Sequence, residues 1–401
     1  MHRFNLPLLF ILLLVLSLSL VPFPIRADNP IQVTNQAVES RYGQSITFRI
    51  TATSAAGKIV YARLLRQTGD EASRSIEIAD GFVPASRVDL KFTWDIRSRS
   101  LPPWQSIRYV WEISDDAGNT LTTPFVDAEY THTTHPWKML TDNKVRVYWY
   151  GMSDVIGKEL FQMAQKGYGN IAKAINFEPD REIRVVLFPN HKAYLSFYAT
   201  GTHNVEEWIG GQTYGTLAVL WYDPQTGNYT FTFQIVVPHE IAHAFLFARL
   251  SGHNERVPVW FNERQAVNNE LVGVPSALAN VGLMARTNKL FRLYDMENYA
   301  NWGTDLRALA NWYDEAASLV NFLYRQYGVE ILGKLLKRIN DGERFEEALK
   351  NETGWSLLDY EIAWRASLGA RPLTAKDIAP TSTLEMPSFR PTPNYEVTAT
   401  P

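Results

Sequence analysis

The sequence predicts a multidomain chain: an N-terminal all-β, immunoglobulin-like sandwich, followed by an α+β domain that is mostly helical in its C-terminal half. Three observations predict this. Short runs between residues 31 and 130 alternate apolar and polar side chains with period two. Two apolar runs, 144–150 and 183–188, flank a long amphipathic stretch. From about residue 263 to 370 the apolar positions recur at helical spacing. At 401 residues, 46% apolar and 13% aromatic, the chain can bury two cores.

Residues 1–27 read as an export signal. His2 and Arg3 give a weakly basic start, and Leu8 to Val21 is an apolar run of 14 residues relieved only by Ser17 and Ser19. Pro22 and Pro24 break it, and Ile25-Arg26-Ala27 is a candidate cleavage site. A membrane span needs roughly 20 residues, so membrane association is expected only if this segment stays uncleaved. Cysteine is absent. That excludes cysteine-based catalysis and fits a bacterial exported protein, secreted or held at the cell envelope. Loss of residues 1–27 takes Arg3 and Arg26 with it and moves the formal charge from −3 to −5. Lys and Arg are scattered, so no nucleic-acid partner is expected.

Residues 28–132 supply the sandwich. Ser45–Thr51, Arg87–Trp94 and Ile107–Ile113 alternate, and turn signals separate them at Ala56-Gly57, Gly69-Asp70, Leu101-Pro102-Pro103 and Asp116–Asn119. Its expected role is spacing, docking or one wall of a cleft. His132 and His135 fall in a Thr-rich stretch and read as polar linker rather than metal ligands. Residues 137–370 form the second domain. Strands are expected at Lys144–Tyr150, Ile183–Phe188, Leu217–Tyr222 and Phe231–Gln234, with a long helix near 153–176. Residues 371–401 read as a disordered tail, because Pro, Thr and Ser dominate and little surface can be buried.

The chemistry concentrates at His239-Glu240-Ile241-Ala242-His243. Histidines four apart on a helix share one face, roughly 6 Å apart along the axis, where one tetrahedral metal takes both. Pro238 suits a helix start, and Ala244, Phe245, Leu246, Phe247 and Leu250 make the helix largely buried. Catalytic zinc sites take three protein ligands and leave a position for water. Glu263, twenty residues after His243 in Trp260-Phe261-Asn262-Glu263-Arg264-Gln265-Ala266, is the candidate third ligand. A turn at Ser251–Asn254 lets the chain double back, and a helix starting near Pro258 lays Glu263 against the histidines.

HEIAH followed by WFNERQA resembles the gluzincin zinc peptidases, the thermolysin and aminopeptidase N group, and most of all their peptidase MA-like domains. The resemblance covers roughly residues 140–370, and its specific part is about thirty residues. It implies a gluzincin-type, thermolysin-like catalytic domain with one Zn²⁺ on His239, His243 and Glu263, and Glu240 as general base, acting on a peptide or protein substrate. It also implies that substrate backbone pairs with an edge strand, for which Leu217–Tyr222 and Phe231–Gln234 are the two candidates. No histidine follows Glu263, so the family's other solution for an oxyanion donor, a tyrosine, points to Tyr313 in Trp312-Tyr313-Asp314-Glu315-Ala316-Ala317. The competing reading of Tyr313 is core packing, since Trp312, Ala316, Leu319, Val320 and Leu323 recur at helical spacing. Glu270 and Asp314 are candidates to orient a ligand imidazole.

The aminopeptidase motif G-x-M-E-N is missing upstream of the helix, in Trp208–Thr213, which makes an endopeptidase the expectation. Arg264 departs from the family's usual Gly. A long cation there blocks the cleft or selects an acidic substrate, and it motivates the alternative: a catalytically weak or inactive metal-binding scaffold or adhesin of the cell envelope.

Overall fold

The computed structural model describes residues 29–69, 74–198, 210–272, 276–297 and 305–378. The export segment 1–27, Asp70 of the Gly69-Asp70 turn, Trp208-Ile209 and residues 379–401 of the tail lie outside them. Alternation in the first third resolves into two antiparallel sheets. One has the order β1 (Ile31–Arg41), β2 (Ser45–Ser54), β5 (Arg87–Asp95). The other runs β4 (Ser75–Ile78), β3 (Ile59–Thr68), β6 (Ser106–Asp115), β7 (Thr120–Thr122), with β8 (Val126–Glu129) also on β6. Period two puts Ile46, Phe48, Ile50 and Ala52 of β2 opposite Trp94, Phe92, Leu90 and Val88 of β5, all on the inner face. Ile107, Tyr109, Trp111 and Ile113 of β6 close the core from the other sheet.

The second unit begins with β9 (Lys138–Thr141), a strand without a marked sequence signal, ahead of the expected one, β10 (Val145–Trp149). The sheet order is β12 (Gly211–Tyr214), β13 (Leu217–Trp221), β11 (Ile183–Phe188), β10, β9. β10, β11 and β13 are parallel, and the two edge strands antiparallel. Strands buried on both faces read as continuous apolar runs. Val145, Val147, Val185, Leu187, Ala218 and Leu220 face α1 (Asp154–Ile175), the crossover helix between β10 and β11. Tyr148, Val186, Phe188, Leu217 and Val219 face the other way, under the short α2 (His191–Tyr194) and the sandwich.

Two expectations fail here. Phe231–Gln234 is not a strand: residues Thr230–Val236 form a π-helical stretch that runs straight into α3 (Val237–Arg249). Four residues of F-x-F alternation cannot fix a period. Packing decides: Phe233 is buried against Tyr222 while Phe231 is exposed. Nor is Leu217–Trp221 an edge, since it is paired on both sides. The edge beyond β13 is β12, whose four residues Gly-Gln-Thr-Tyr carry no apolar alternation.

α4 (Val259–Asn269), α5 (Ser276–Arg286), α6 (Leu306–Tyr327), α7 (Ile331–Asn340), α8 (Phe345–Thr353) and α9 (Leu357–Ser367) follow. Asp305 caps α6, and Gly328 at φ +80° ends it. Residues 371–378 are not loose. Asp377 in α10 (Ala375–Ile378) accepts from Thr374 N at 2.7 Å and Arg371 Nη1 at 3.0 Å.

Candidate metal centre

α3 and α4 build the centre. Pro238 has no N–H to offer the carbonyl of Gln234 four residues back. That carbonyl instead accepts from Leu271 N at 2.8 Å, just past the end of α4. Pro238's own carbonyl accepts from Asn269 Nδ2 at 2.6 Å. These two bonds tie the C-terminal end of α4 to the start of α3. Ser251 and Gly252, both at positive φ, reverse the chain between the helices.

His239, His243 and Glu263 come together with their ligand atoms all within 4.8 Å of one another. The two Nε2 atoms are 3.2 Å apart, and each is 3.7 Å from a Glu263 carboxylate oxygen. A tetrahedral zinc with bonds of roughly 2.0–2.1 Å has edges of about 3.4 Å, so the triangle fits such an ion. The donor set fits too. His239 Nδ1 lies 3.1 Å from Glu270 Oε1 and His243 Nδ1 lies 3.0 Å from Asn262 Oδ1. Both partners accept, so each Nδ1 carries the proton and each Nε2 presents a bare lone pair to the centre. Two lone pairs and a carboxylate converging in a part-buried site call for a cation. The surrounding carboxylates favour positive charge at the centre, whether a proton or a metal ion carries it. Burial pushes the His239 imidazole down, but Glu263, Glu270 and Glu240 more than reverse this and raise it to about 10. Burial likewise raises the Glu263 carboxyl, and His243, His239 and the Tyr313 hydroxyl bring it below the ordinary range.

Glu240, buried between the two histidines in sequence, is not one of the three converging groups. Its Oε2 accepts from Thr213 Oγ1 at 2.7 Å. The Tyr313 hydroxyl donates to Glu263 Oε2 at 3.4 Å, which puts it at the rim of the centre from α6. Its neighbours Trp312, Ala316, Leu319, Val320 and Leu323 do form core, so the helix serves both readings. Of the two candidate orienting carboxylates, Glu270 reaches His239. Asp314 accepts from Asn280 Nδ2 at 2.7 Å and is not bonded to either imidazole.

Arg264, the residue after Glu263 in α4, is half-buried. Its guanidinium is held below its ordinary pKa by burial, with Tyr324, Glu270 and Asp314 acting against that. His132 is not a solvated linker residue, whereas His135 stays exposed in the linker. His132 is 3% exposed and stacked on Tyr42 at 3.5 Å between ring centres, and His135 stacks on Tyr150 at 4.3 Å. Aromatic neighbours from both units collect there because the chain crosses between two apolar faces. Among the described residues, His239, His243 and Glu263 are the single His, Asp or Glu group placed to share a metal.

Sequence spacing did not reveal Thr213, Asn262 or Asn269. Each acts on a partner in another element, and only Asn262, beside the ligand Glu, sits inside a motif.

The family model of the Peptidase MA superfamily matches residues 166–370. No curated protein matches the sequence. Among solved structures, the chain is similar to that titled "Crystal structure of Legionella pneumophila aminopeptidase A in complex with aspartic acid", at 12% identity and TM-score 0.37. The similarity covers 84% of this chain and 49% of that one, so this chain spans about half the length of its neighbour.

Proposed function

Because the chain belongs to the Peptidase MA superfamily, we propose that it is an exported, zinc-dependent peptidase that cleaves internal peptide bonds. The observation that carries this reading is the convergence of His239, His243 and Glu263 beside a buried Glu240. Zinc, when bound, supplies Lewis acidity towards water and a substrate carbonyl. Glu270 and Asn262 hold the two Nδ1–H groups and so aim both Nε2 atoms inward. Glu240 takes a proton from the attacking water and later returns it to the leaving amine. The Tyr313 hydroxyl donates to the carbonyl oxygen as negative charge develops there.

β12 ends the sheet. Substrate backbone adds to its free side as a further strand, which suits a chain running through the cleft. Export rests on the apolar segment 8–21, and the absence of cysteine is compatible with it. The rival reading, an inactive scaffold or adhesin, drew on Arg264. Burial holds that guanidinium below its ordinary pKa while Tyr324, Glu270 and Asp314 act against it, and turnover separates the two readings.

The test is hydrolysis of a mixed peptide library by the zinc-loaded protein, with and without chelator, alongside Glu240→Gln. The expected result is internal cleavage that chelator abolishes and that falls at least about a hundredfold in Glu240→Gln while zinc stays bound. Cleavage indifferent to chelator, or equal in the variant, overturns the mechanism. Bound zinc with no cleavage at all favours the scaffold.

A further inference from the structure

We propose that Thr213 is the positioning residue for Glu240, which makes the edge strand part of the catalytic apparatus as well as a docking rail. The inference rests on the peptidase reading for its catalytic meaning, and on geometry for its substance. Thr213 Oγ1 lies 2.7 Å from Glu240 Oε2 and 3.0 Å from the Glu240 backbone carbonyl. A hydroxyl placed against both the side-chain and main-chain oxygens of one residue fixes the rotamer joining them. Glu240 is 7% exposed, so water has little room to do the same.

The strand is built to deliver this contact. Thr213 pairs with Ala218 of β13, and its neighbours Gln212 and Tyr214 point to the opposite face. There the Tyr214 hydroxyl donates to Gln212 Oε1 at 2.7 Å, and the Tyr198 hydroxyl donates to the same oxygen at 2.5 Å. That bonding pins the pleat with Thr213 towards α3. Close approach depends on Gly210 and Gly211, three and two residues before it. A Cβ on Gly210 would meet Val236 Cγ2 at 2.7 Å and Phe231 Cε1 at 2.9 Å. On Gly211 it would meet Leu220 Cδ2 and the Val219 carbonyl at 3.1 Å. Without side chains there, the strand lies near enough for a short hydroxyl to reach the helix.

Thr213→Val keeps the shape and removes the donor, and Thr213→Ser keeps the donor. With zinc-loaded protein and a peptide that the wild type cleaves, Thr213→Val is expected to keep one zinc per chain and a KM within about twofold. Its kcat should fall about ten- to hundredfold, the range for a hydrogen bond to a charged group. Thr213→Ser should stay within about threefold of wild type. Wild-type kcat in Thr213→Val, an equal fall in Thr213→Ser, or loss of zinc from Thr213→Val overturns the assignment. Crystal structures of the two variants give a readout that needs no turnover. The Glu240 carboxylate should leave its position in Thr213→Val and keep it in Thr213→Ser; an unmoved carboxylate in Thr213→Val overturns the proposal. If the wild type cleaves nothing, the peptidase reading fails by itself, and these structures still decide the role of Thr213.

Discussion

Glu270 and Asp314 are both carboxylates that could orient a ligand imidazole, yet only Glu270 holds one. Glu270→Ala should therefore weaken zinc binding about ten- to a hundredfold, and Asp314→Asn should leave it within about twofold. Competition with a chromophoric chelator measures both, and equal effects would contradict the geometry. A second residue-scale prediction concerns His132. Burial, with a smaller contribution from His135, pushes its imidazole down to about 4, against an ordinary value of about 6.5 in the unfolded chain. The unfolded chain thus binds the extra proton first. Stability is fully present above pH 6.5 and is lost as pH falls towards 4. Between pH 7.5 and 4.5, wild type should lose on the order of 1–2 kcal/mol more than His132→Phe in urea unfolding, part of the cost being screened by solvent at the junction. Identical losses would show that the ring is free to protonate when folded. At this scale the shared face of His239 and His243 is legible because helical spacing turns sequence distance into direction, whereas Glu263 follows from the turn between α3 and α4 and from the resemblance of its motif. Thr213 and Asn269 were not legible, because nothing in their own neighbourhood names the partner.

The same divide runs through the elements. β2, β5, β6, α1 and α4 follow from periodicity and end signals, since each has one face that must be buried. β12 has no apolar alternation to read, because Gly210 packs closely on the π-helical stretch and Gly211 on β13 without burying side chains of their own. The strand expected at Phe231–Gln234 was a misreading of a helix whose first turns are held by contacts with β13. How closely α1 and α3 pack can be tested with two glycines of α1. A Cβ on Gly167 would lie 2.9 Å from Pro238 Cα, a backbone atom that cannot yield, whereas Gly169 is exposed with nothing within 4 Å. Gly167→Ala should cost about 1–3 kcal/mol by overpacking. Gly169→Ala should gain about 0.5–1 kcal/mol by removing a flexible residue from a helix interior. Chemical denaturation checks the opposite signs, and a stabilising Gly167→Ala would mean the helices sit further apart.

For the whole molecule, the sandwich is more than a spacer. The Trp104 ring stacks on Tyr148 of the second sheet at 4.4 Å and 2°. Glu129 takes ion pairs from Arg146 at 3.3 Å and Arg184 at 3.2 Å. Tyr42 and Trp104 help to cover the sheet face formed by Tyr148, Val186, Phe188, Leu217 and Val219. None of this was legible beforehand, because an aromatic residue at a domain junction looks like one in any core. Removing residues 29–130 should leave that face bare, giving a product that aggregates or binds a hydrophobic dye. A soluble remainder with the full-length melting temperature would show the units to be independent. The central claim is that three side chains from α3 and α4 hold one metal ion. Elemental analysis of purified protein, wild type beside Glu263→Ala, tests it most directly. The account predicts one zinc per wild-type chain and a large loss in the variant; a wild type without metal, or a variant that retains a full equivalent, contradicts it.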